Sequence, residues 1–391
     1  MRSARKPDIR SGTRTLNILH VSTASSWRGG EQQLAYLVGE LEQQEYITQT
    51  VVCAKGSALE QHCNRMSIPH VALKKRSSVD WGFAFQLSRL CRSLNISIMH
   101  CHDAHAHSFA VWSATLFRNP VPIVISRRVD FRIRRGFFSS FKYNHKSICG
   151  ILCVSEKIRS IISPRIKDKT KLFTVYSGID LTRFDTKPVQ NKLRQQFNIP
   201  DDEFMIANVA ALAPHKDYFT FIDTVEVLQS RDIKAHYFII GEGKLRENIQ
   251  EYIEHKALEH VITLTGFRED IPLILPGIDV FLITSSTEGL GTSILDAFAC
   301  DVPVVATRAG GIPEIVIDNQ TGLSAPVGDA EALAEQVIRM LQEPGLRQSM
   351  VGAARKHLQN FSREATAKRT LEVYRKICWP DGLHDQTTEA N

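Results

Sequence analysis

The chain contains 391 residues, more than a single hydrophobic core usually organises, so two domains are expected. Its hydrophobic fraction of 43% and charged fraction of 23% are those of an ordinary globular protein, and no apolar stretch of about 18 residues predicts a transmembrane helix. The net charge is unevenly divided: residues 1–190 hold 29 basic and 13 acidic residues, a net +16, whereas residues 191–391 hold 19 and 29, a net −10. This asymmetry predicts a polyanionic partner for the first half: an anionic membrane, an anionic acceptor or a nucleic acid.

The N-terminal segment and the cysteines both favour a cytoplasmic protein. Residues 1–15 are basic and no apolar segment follows them, so we expect a disordered tail and no secretory signal. The eight cysteines form no Cys-x-x-Cys pair and lie mostly in apolar runs. This pattern favours buried free thiols over disulfides or a zinc site.

Strand patterns alternate with helical patterns through both halves of the chain. In the first half, strands are predicted at 16–22, 47–53, 70–74, 96–101, 122–127, 150–155 and 171–177. The pattern then restarts, with strands predicted at 204–210, 236–240, 260–266, 280–286, 303–307 and near Leu323. The segments between them place apolar residues at i, i+3 and i+4, as amphipathic helices do. Repeated β-α units indicate parallel sheets that are covered on both faces.

These elements predict an α/β fold with two Rossmann-like, doubly wound domains, at residues 16–187 and 198–360. The polar, proline-containing segment 184–196 is the predicted linker, and a final helix at 362–377 belongs to neither sheet by its order in the chain. Ligands of such folds bind at the carboxyl ends of the strands, so we expect the functional residues in the loops that follow strands.

The loop after the first predicted strand contains Gly29 and Gly30, just before a helix that begins near Glu31. Glycines let the backbone approach a ligand closely, and a helix N-terminus favours an anion. The spacing is not the Gly-x-Gly-x-x-Gly of a dinucleotide site, and a plain strand–helix turn is an equal alternative.

The segment 99–107 is rich in histidine and includes His102 and Asp103. Such groups can act as acid, base or hydrogen-bond partners of a sugar. A metal site is disfavoured because the ligand spacing matches no known pattern. The main alternative is a surface or capping role, and Asp103 is well placed to cap the helix that follows.

The segment 123–138 interleaves arginines with phenylalanines. The arginines are Arg127, Arg128, Arg132, Arg134 and Arg135, and the phenylalanines are Phe131, Phe137 and Phe138. This composition suits a membrane interface, a phosphate-bearing acceptor or single-stranded nucleic acid, and a solvated charged loop is the alternative.

In the second half, the loop 287–293 carries Glu288 and two glycines directly before a helix. Its backbone N–H groups are suited to a diphosphate, and the Glu288 carboxylate to sugar hydroxyls. Asp296 lies within that otherwise apolar helix, where a carboxylate is costly without a partner such as a ligand hydroxyl. Lys216 follows another strand and could pair with phosphate, although a lone lysine is a weak signal.

Residues 16–377 resemble glycosyltransferase family 4, whose members have the GT-B fold. Single matching segments are common, whereas the ordered set is specific. The set is Gly29-Gly30-Glu31, 176–184 (YSGIDLTRF), 215–216 (HK), 241–243 (GEG), 265–267 (TGF), 288–298 (EGLGTSILDAF) and 308–316 (RAGGIPEIV). The resemblance implies two Rossmann-like domains that face each other across a cleft, with a C-terminal helix that crosses back to the first domain.

By this resemblance, the second domain binds a nucleotide-sugar and the first domain holds the acceptor. Lys216 would contact the diphosphate, Glu288 the donor sugar and Asp296 the ribose. The implied donor-binding residues are Gly30, Lys216, Phe267, Glu288, Gly289, Leu290, Gly291, Thr292 and Asp296. The implied catalytic residues are Glu288, Lys216 and Arg127, and the implied acceptor-binding residues are His102, Asp103, Arg127 and Arg128.

This chain departs from the family pattern at three places. Asp296 stands where the motif usually has a second glutamate, and Ala211 stands where an arginine often lies five residues before the lysine. Arg127 and Arg128 stand where many relatives have a histidine at the end of a strand. These arginines could offset the missing phosphate contact or bind an acidic acceptor.

The resemblance implies a retaining transfer that needs no cofactor, and the absence of an Asp-x-Asp motif after a strand predicts no metal. We expect a glycan or glycolipid acceptor of the cell envelope, peripheral contact with the anionic cytoplasmic face of the inner membrane, and no nucleic-acid partner. Two alternatives remain: a nucleotide-sugar 2-epimerase, and an inactive nucleotide-binding protein of the same fold, which the residues Ala211 and Asp296 motivate.

Overall fold

The structure is a computed structural model that describes residues 15–133, 136–184 and 192–380. The predicted tail, except for its last residue, lies outside these ranges, and so do residues 185–191 of the predicted linker.

The first domain is built on a seven-stranded parallel sheet in the order β3-β2-β1-β4-β5-β6-β7. Its strands are β1 (Leu16–Val21), β2 (Ile47–Ala54), β3 (His70–Leu73), β4 (Ile98–Cys101), β5 (Ile123–Arg127), β6 (Ile148–Cys153) and β7 (Leu172–Thr174). Its helices are α1 (Gly29–Glu42), α2 (Ala58–Arg65), α3 (Trp81–Ser93), α4 (Ala104–Leu116), α5 (Phe137–Tyr143) and α6 (Glu156–Ile162). Ile18 and Leu19, neighbours in β1, belong to different apolar clusters, so both faces of the sheet are covered.

The second domain is built on a six-stranded parallel sheet in the order β10-β9-β8-β11-β12-β13. Its strands are β8 (Phe204–Val209), β9 (Ala235–Ile240), β10 (Ile262–Gly266), β11 (Val280–Ile283), β12 (Val304–Thr307) and β13 (Leu323–Ala325). The helices from the linker onwards are α7 (Lys192–Gln196), α8 (Tyr218–Ser230), α9 (Arg246–His255), α10 (Ile271–Ile274), α11 (Thr292–Ala299), α12 (Ala330–Gln342) and α13 (Pro344–Leu358). All four side chains of β11 are buried, as expected for a central parallel strand.

Both sheets have the Rossmann strand order, counted from the first strand of each domain. The order reverses between β1 and β4 in the first sheet and between β8 and β11 in the second. The carboxyl ends of the strands form a ligand crevice at such reversal points. The predicted α/β class with two doubly wound domains is therefore confirmed.

The final helix, α14 (Arg363–Cys378), returns to the first domain and packs against α1. Its Tyr374 side chain is buried in the apolar cluster behind the first sheet. Arg363 pairs at 2.8 Å with both Glu40 of α1 and Asp180. The expected C-terminal helix that crosses back is thus present.

Candidate active site

A cleft of about 430 Å³ lies between the two domains, where the strand order of each sheet reverses. The first domain contributes Gly29, Gly30, Gln33, Arg128, Val154 and Ser177, and the second contributes Val209, Ala210, Ala211, Lys216 and residues 288–293. Residues from both halves that were predicted from the sequence therefore meet in one cavity: Gly30, Arg128, Lys216, Glu288, Gly289, Leu290, Gly291 and Thr292.

An ion pair between Lys216 and Glu288 lies at the centre of the second domain's contribution. Lys216 ends a 3₁₀ turn, Pro214–Lys216, which the loop after β11 holds in place. In that loop the Ser286 N–H donates to the carbonyl of His215 at 2.9 Å. The Lys216 ammonium contacts Oε1 of Glu288, and the Ser285 hydroxyl donates to the same oxygen at 3.0 Å. Glu288 is only 8% exposed, and it is part of the lining of the cleft.

Two glycines after β12, which were not among the predicted site residues, fix the backbone of Glu288. The Gly311 N–H donates to the Glu288 carbonyl at 3.0 Å. Gly310 has a φ of +51°, and a β-carbon there would overlap that same carbonyl. The pair of successive glycines after a strand could have indicated this contact from the sequence, because two glycines in a row let two backbone segments approach each other closely.

The N-terminus of α11 faces the cleft through Thr292 and Ser293. Gly291 precedes the helix with a φ of +92° and supplies no side-chain cap to the first-turn N–H groups. These N–H groups and the helix dipole favour an anion at this position.

The neighbouring arginines of the first domain have different environments. The Arg128 guanidinium lines the cleft and donates to the Ser177 hydroxyl at 3.2 Å. Burial lowers the pKa of Arg128 to about 10, so it stays charged at neutral pH. Arg127 instead donates to the Tyr143 hydroxyl at 3.1 Å and to the carbonyl of Phe131. The structure therefore brings Arg128 to the cleft and does not bring Arg127 there, although Arg127 was the one predicted to be catalytic.

His102 lies inside the first domain and lines none of the cavities described here. Its Nε2 is 3.1 Å from Nδ1 of His20, and its ring packs on His100, with 4.0 Å between centroids. Burial lowers the pKa of His20 to about 4 and those of His100 and His102 well below their usual value, so all three are neutral. Among the described residues, these three imidazoles form the one group with ligand atoms close enough for a metal ion, within 4.8 Å of one another.

Asp103 is the N-cap of α4, as the sequence predicted. Its Oδ1 accepts from the N–H groups of His105 and Ala106 at 2.8 and 2.9 Å and from the Thr23 hydroxyl at 2.9 Å. The carboxylate thus joins the loop after β1 to the start of α4.

Asp296 and Phe267 lie outside the lining of the cleft. Asp296 is half-buried on α11, and its Oδ1 has no hydrogen-bond partner among the residues that the structure describes. Burial raises the pKa of Asp296 to about 7, against the opposing effect of the Arg183 charge. Phe267 follows β10 and is 71% exposed. The structure does not place either side chain beside Lys216 and Glu288, so their assignments to the ribose and the base remain predictions.

Within the described residues, none of the helices combines the length and apolar character needed to cross a bilayer.

Two family profiles together match most of the chain. The profile described as Glycosyltransferase Family 4 matches residues 27–183, and the profile described as Glycosyl transferases group 1 matches residues 189–357. The two matched regions contain every strand of the two sheets except β1, and all the described residues that line the cleft.

Individual relatives are distant but span most of the chain. N-acetyl-alpha-D-glucosaminyl L-malate synthase of Bacillus anthracis is 22% identical over 308 residues, which cover 77% of this chain and 80% of that protein. The capsular polysaccharide biosynthesis glycosyltransferase CapM of Staphylococcus aureus is 23% identical over 341 residues, which cover 83% and 88%. The crystal structure of Anabaena Alr3699/HepE in complex with UDP-glucose has the same fold, with a TM-score of 0.78 and 18% identity over 91% of this chain and 98% of that one. The chain therefore belongs to glycosyltransferase family 4 and is a glycosyltransferase of the GT-B fold.

Proposed function

We propose that this glycosyltransferase transfers a sugar from a UDP-sugar to a cell-envelope glycan or glycolipid, with retention of the anomeric configuration and without a metal ion. The observation that carries the proposal is the cleft in which Lys216 and Glu288 of one domain face Arg128 of the other. UDP-glucose is bound by the structurally similar Anabaena protein, and CapM is named for capsular polysaccharide synthesis, which supports the donor and acceptor classes.

Three positive groups in the cleft suit a donor diphosphate. They are the Lys216 ammonium, the Arg128 guanidinium and the N-terminus of α11. Ala211 lines the same cleft and contributes no charge, so Arg128 takes the place of the arginine that relatives often have there. A buried array of fixed positive groups stabilises the charge that develops as a diphosphate leaves. Glu288 is then available to accept hydrogen bonds from sugar hydroxyls.

Retention is favoured because Glu288 is the only carboxylate among the described residues that line the cleft. Lys216 and Ser285 already engage it, whereas an inverting transfer would need a free carboxylate base to take the acceptor proton on the face opposite the diphosphate. A retaining transfer in two steps would also need a free carboxylate, as the nucleophile, so a single retaining step is the one that fits this cleft. In the proposed single step, the bond from the anomeric carbon to the diphosphate oxygen breaks and a bond to the acceptor oxygen forms on the same face. The acceptor proton passes to a diphosphate oxygen, so no protein base is required.

The direct experiment is a screen of nucleotide release from a panel of nucleotide-sugars, with and without extracted envelope lipids as acceptor. Release of UDP from a UDP-sugar, increased by the lipid extract, supports the proposal. Release only from donors with another base would contradict the UDP assignment.

A second candidate is a protein that binds the nucleotide without turnover, and Ala211 favours it because one phosphate contact is missing from the second domain. Tight UDP binding with no release from any UDP-sugar would support this candidate against the first.

Excess chelator should leave nucleotide release unchanged. The reason is that the described cleft presents a single carboxylate, whereas magnesium at a diphosphate is usually held by carboxylate oxygens from the protein. The measurement is the initial rate in EDTA, before and after addition of manganese or magnesium. A rate that falls in EDTA and recovers with either metal would contradict metal independence, and the cluster of His20, His100 and His102 would then be the first site to test.

The proposal includes reversible contact with an anionic membrane through the segment 127–138. Its phenylalanines Phe131 and Phe137 are 68% and 79% exposed, and Arg132, which follows Phe131 in the chain, is also exposed. Exposed aromatic side chains insert at the bilayer interface, and each nearby basic residue contributes about 1 kcal/mol at an anionic surface.

The wild-type protein should therefore sediment with anionic vesicles at low salt, less at high salt, and not with neutral vesicles. The double variant Arg132→Ser/Phe137→Ser should sediment less, with donor turnover intact. The matched control is Arg165→Ser/Met66→Ser, which removes an exposed arginine and an exposed apolar side chain elsewhere on the same domain. Equal loss of sedimentation in both variants, or no sedimentation of the wild type, would contradict this contact.

A further inference from the structure

A second cavity, of about 720 Å³, lies in the first domain at the carboxyl ends of β1 to β4. We call it the basic pocket, and the residues that matter in its wall are Arg28, Lys55, Lys74, Lys75, Asp103 and His105. It adjoins the donor cleft, since Arg28 lines the basic pocket while the next two residues of the same loop, Gly29 and Gly30, line the cleft. A molecule in the basic pocket is therefore next to the donor site.

The wall of the basic pocket holds four cations that have no acidic partner in the described part of the chain. Arg28, Lys55, Lys74 and Lys75 form no ion pair with any described carboxylate. Asp103 is the single acid in the wall, and backbone N–H groups and Thr23 already engage it. Unpaired like charges around a concavity repel one another, so the arrangement is stabilised by a bound anion.

A groove of about 460 Å³ with an apolar lining continues from the basic pocket, and we call it the aromatic groove. Its aromatic residues are Trp81, Trp112, Phe138 and Phe141. Trp81 is 61% exposed and Phe138 is 74% exposed, so the groove opens to solvent. Large exposed aromatic side chains grouped around a concavity are typical of a site for an apolar ligand.

Two elements connect the basic pocket to the aromatic groove. The loop after β3 places Lys74 and Lys75 in the pocket and Val79 in the groove, and α4 places His105 in the pocket and Ser108 in the groove. Lys142 of α5 contacts a residue of each concavity. Its ammonium donates to the carbonyl of Ala104, in the basic pocket, at 2.5 Å and to the hydroxyl of Ser108, in the aromatic groove, at 2.8 Å. The two concavities therefore form one amphipathic surface, charged beside the donor cleft and apolar further away.

We propose that this surface is the acceptor site for a lipid phosphate, whose phosphate binds in the basic pocket and whose hydrocarbon chain begins in the aromatic groove. The proposal rests on the proposed function, since it places the acceptor beside the donor cleft. Lysines recognise a phosphate as point charges, and a phosphate can accept hydrogen bonds from several of them at once. A nucleic acid would require the basic surface to continue along its backbone, whereas here it ends at the aromatic groove.

The test is isothermal titration with water-soluble dihexanoyl phosphatidic acid below its micelle concentration. Glycerol 3-phosphate serves as the probe for the phosphate alone, and octyl glucoside as the probe for the chain alone. The phosphatidic acid should bind about tenfold or more tightly than glycerol 3-phosphate, because burial of a few methylenes in the aromatic groove adds that much.

Two variants separate the two parts of the site. Lys74→Ser/Lys75→Ser should weaken both phosphate probes about tenfold, because two unpaired cations are lost. Trp81→Ser should weaken only the phosphatidic acid, by about fivefold or more. The matched controls are Lys146→Ser/Lys169→Ser and Phe85→Ser, which change exposed residues of the same types outside both concavities. Each variant is also titrated with UDP-glucose, which should bind as to the wild type.

Phosphatidic acid that binds no more tightly than glycerol 3-phosphate, or equally to the lysine variant and its control, would overturn the proposal. Binding to anionic vesicles without binding of monomeric phosphatidic acid would also overturn it, in favour of a membrane surface alone. Lipid phosphate binding in a protein that binds no UDP-sugar would support this site while contradicting the proposed function.

Discussion

Glu288→Gln should lower nucleotide release from the preferred donor at least about a hundredfold, which corresponds to about 2.7 kcal/mol of transition-state stabilisation. Glutamine keeps the size of the side chain and can still accept from Ser285, but it cannot balance the charge of Lys216. It also offers one acceptor oxygen to the sugar hydroxyls where the carboxylate offers two. The measurement is kcat/KM for nucleotide release at a donor concentration series.

The position of Glu288 in a loop suggests that its replacement has no effect on folding, and the structure changes that expectation. The carboxylate is buried and paired, so its loss leaves Lys216 without its partner and costs about 1–3 kcal/mol of folding stability. Thermal unfolding must therefore accompany the kinetics. The matched control is Glu254→Gln on the exposed surface of α9, which should change neither quantity. Near-normal release by a folded Glu288→Gln protein would remove Glu288 from the mechanism.

Lys216→Met should also lower nucleotide release about a hundredfold or more, because, among the described residues of the second domain, Lys216 is the only one that brings a side-chain cation to the cleft. It should weaken UDP binding as well, since the diphosphate is present in both ground and transition states. Arg128→Met should have a smaller effect in the same direction, about tenfold, because this guanidinium approaches from the other domain and is already partly satisfied by Ser177.

The variant Arg127→Met tests which of the two adjacent arginines acts in the cleft. The resemblance predicts that Arg127 is catalytic, whereas its contacts with Tyr143 and Phe131 direct it away from the cleft. We expect release by Arg127→Met to stay within about threefold of wild type, provided the segment remains folded. A loss at Arg127 as large as that at Lys216, with Arg128→Met near normal, would contradict the assignment of Arg128 to the diphosphate.

The difference between Arg127 and Arg128 shows what the sequence alone could not resolve. Successive side chains at the end of a strand point in opposite directions, so only one of two adjacent arginines faces the cleft. Sequence spacing does not say which one, because that depends on where β5 ends relative to its neighbours. The same alternation buries His102 while Asp103, the next residue, lines the basic pocket.

The sequence predicted the fold more completely than it predicted the site. The central strand β11, for example, is a continuous run of four buried apolar side chains, and such a run is visible in the sequence. The approach of Lys216 to Glu288, 72 residues later, depends instead on the pairing of β8 with β11. Similarly, His20 and His100 become neighbours only because β1 pairs with β4 in that register. Long-range pairings of this kind leave no local pattern. The family resemblance therefore supplied the Lys216–Glu288 site, and the histidine-rich segment 99–107 did not indicate that His20 lies beside it.

The sequence also predicted the basic pocket only in part. The net charge of +16 predicted a polyanionic partner for the first half, and the segment 123–138 was the predicted contact because its arginines are interleaved with phenylalanines. The cations of the pocket come from three separate loops, after β1, β2 and β3, and are brought together by the order of the strands. The sheet topology, not the sequence spacing, therefore brings these cations together beside the donor cleft.

The most direct test of the central claim is time-resolved ¹H NMR of the products formed from an α-linked UDP-sugar. If the transfer retains configuration, we expect UDP to appear together with a sugar product whose first-formed anomer is α. This holds whether water or the envelope lipid is the acceptor. A β anomer formed first would contradict retention. A new UDP-sugar formed without free UDP would show an epimerase, and no change in the donor despite UDP binding would show that the cleft binds the nucleotide without transferring the sugar.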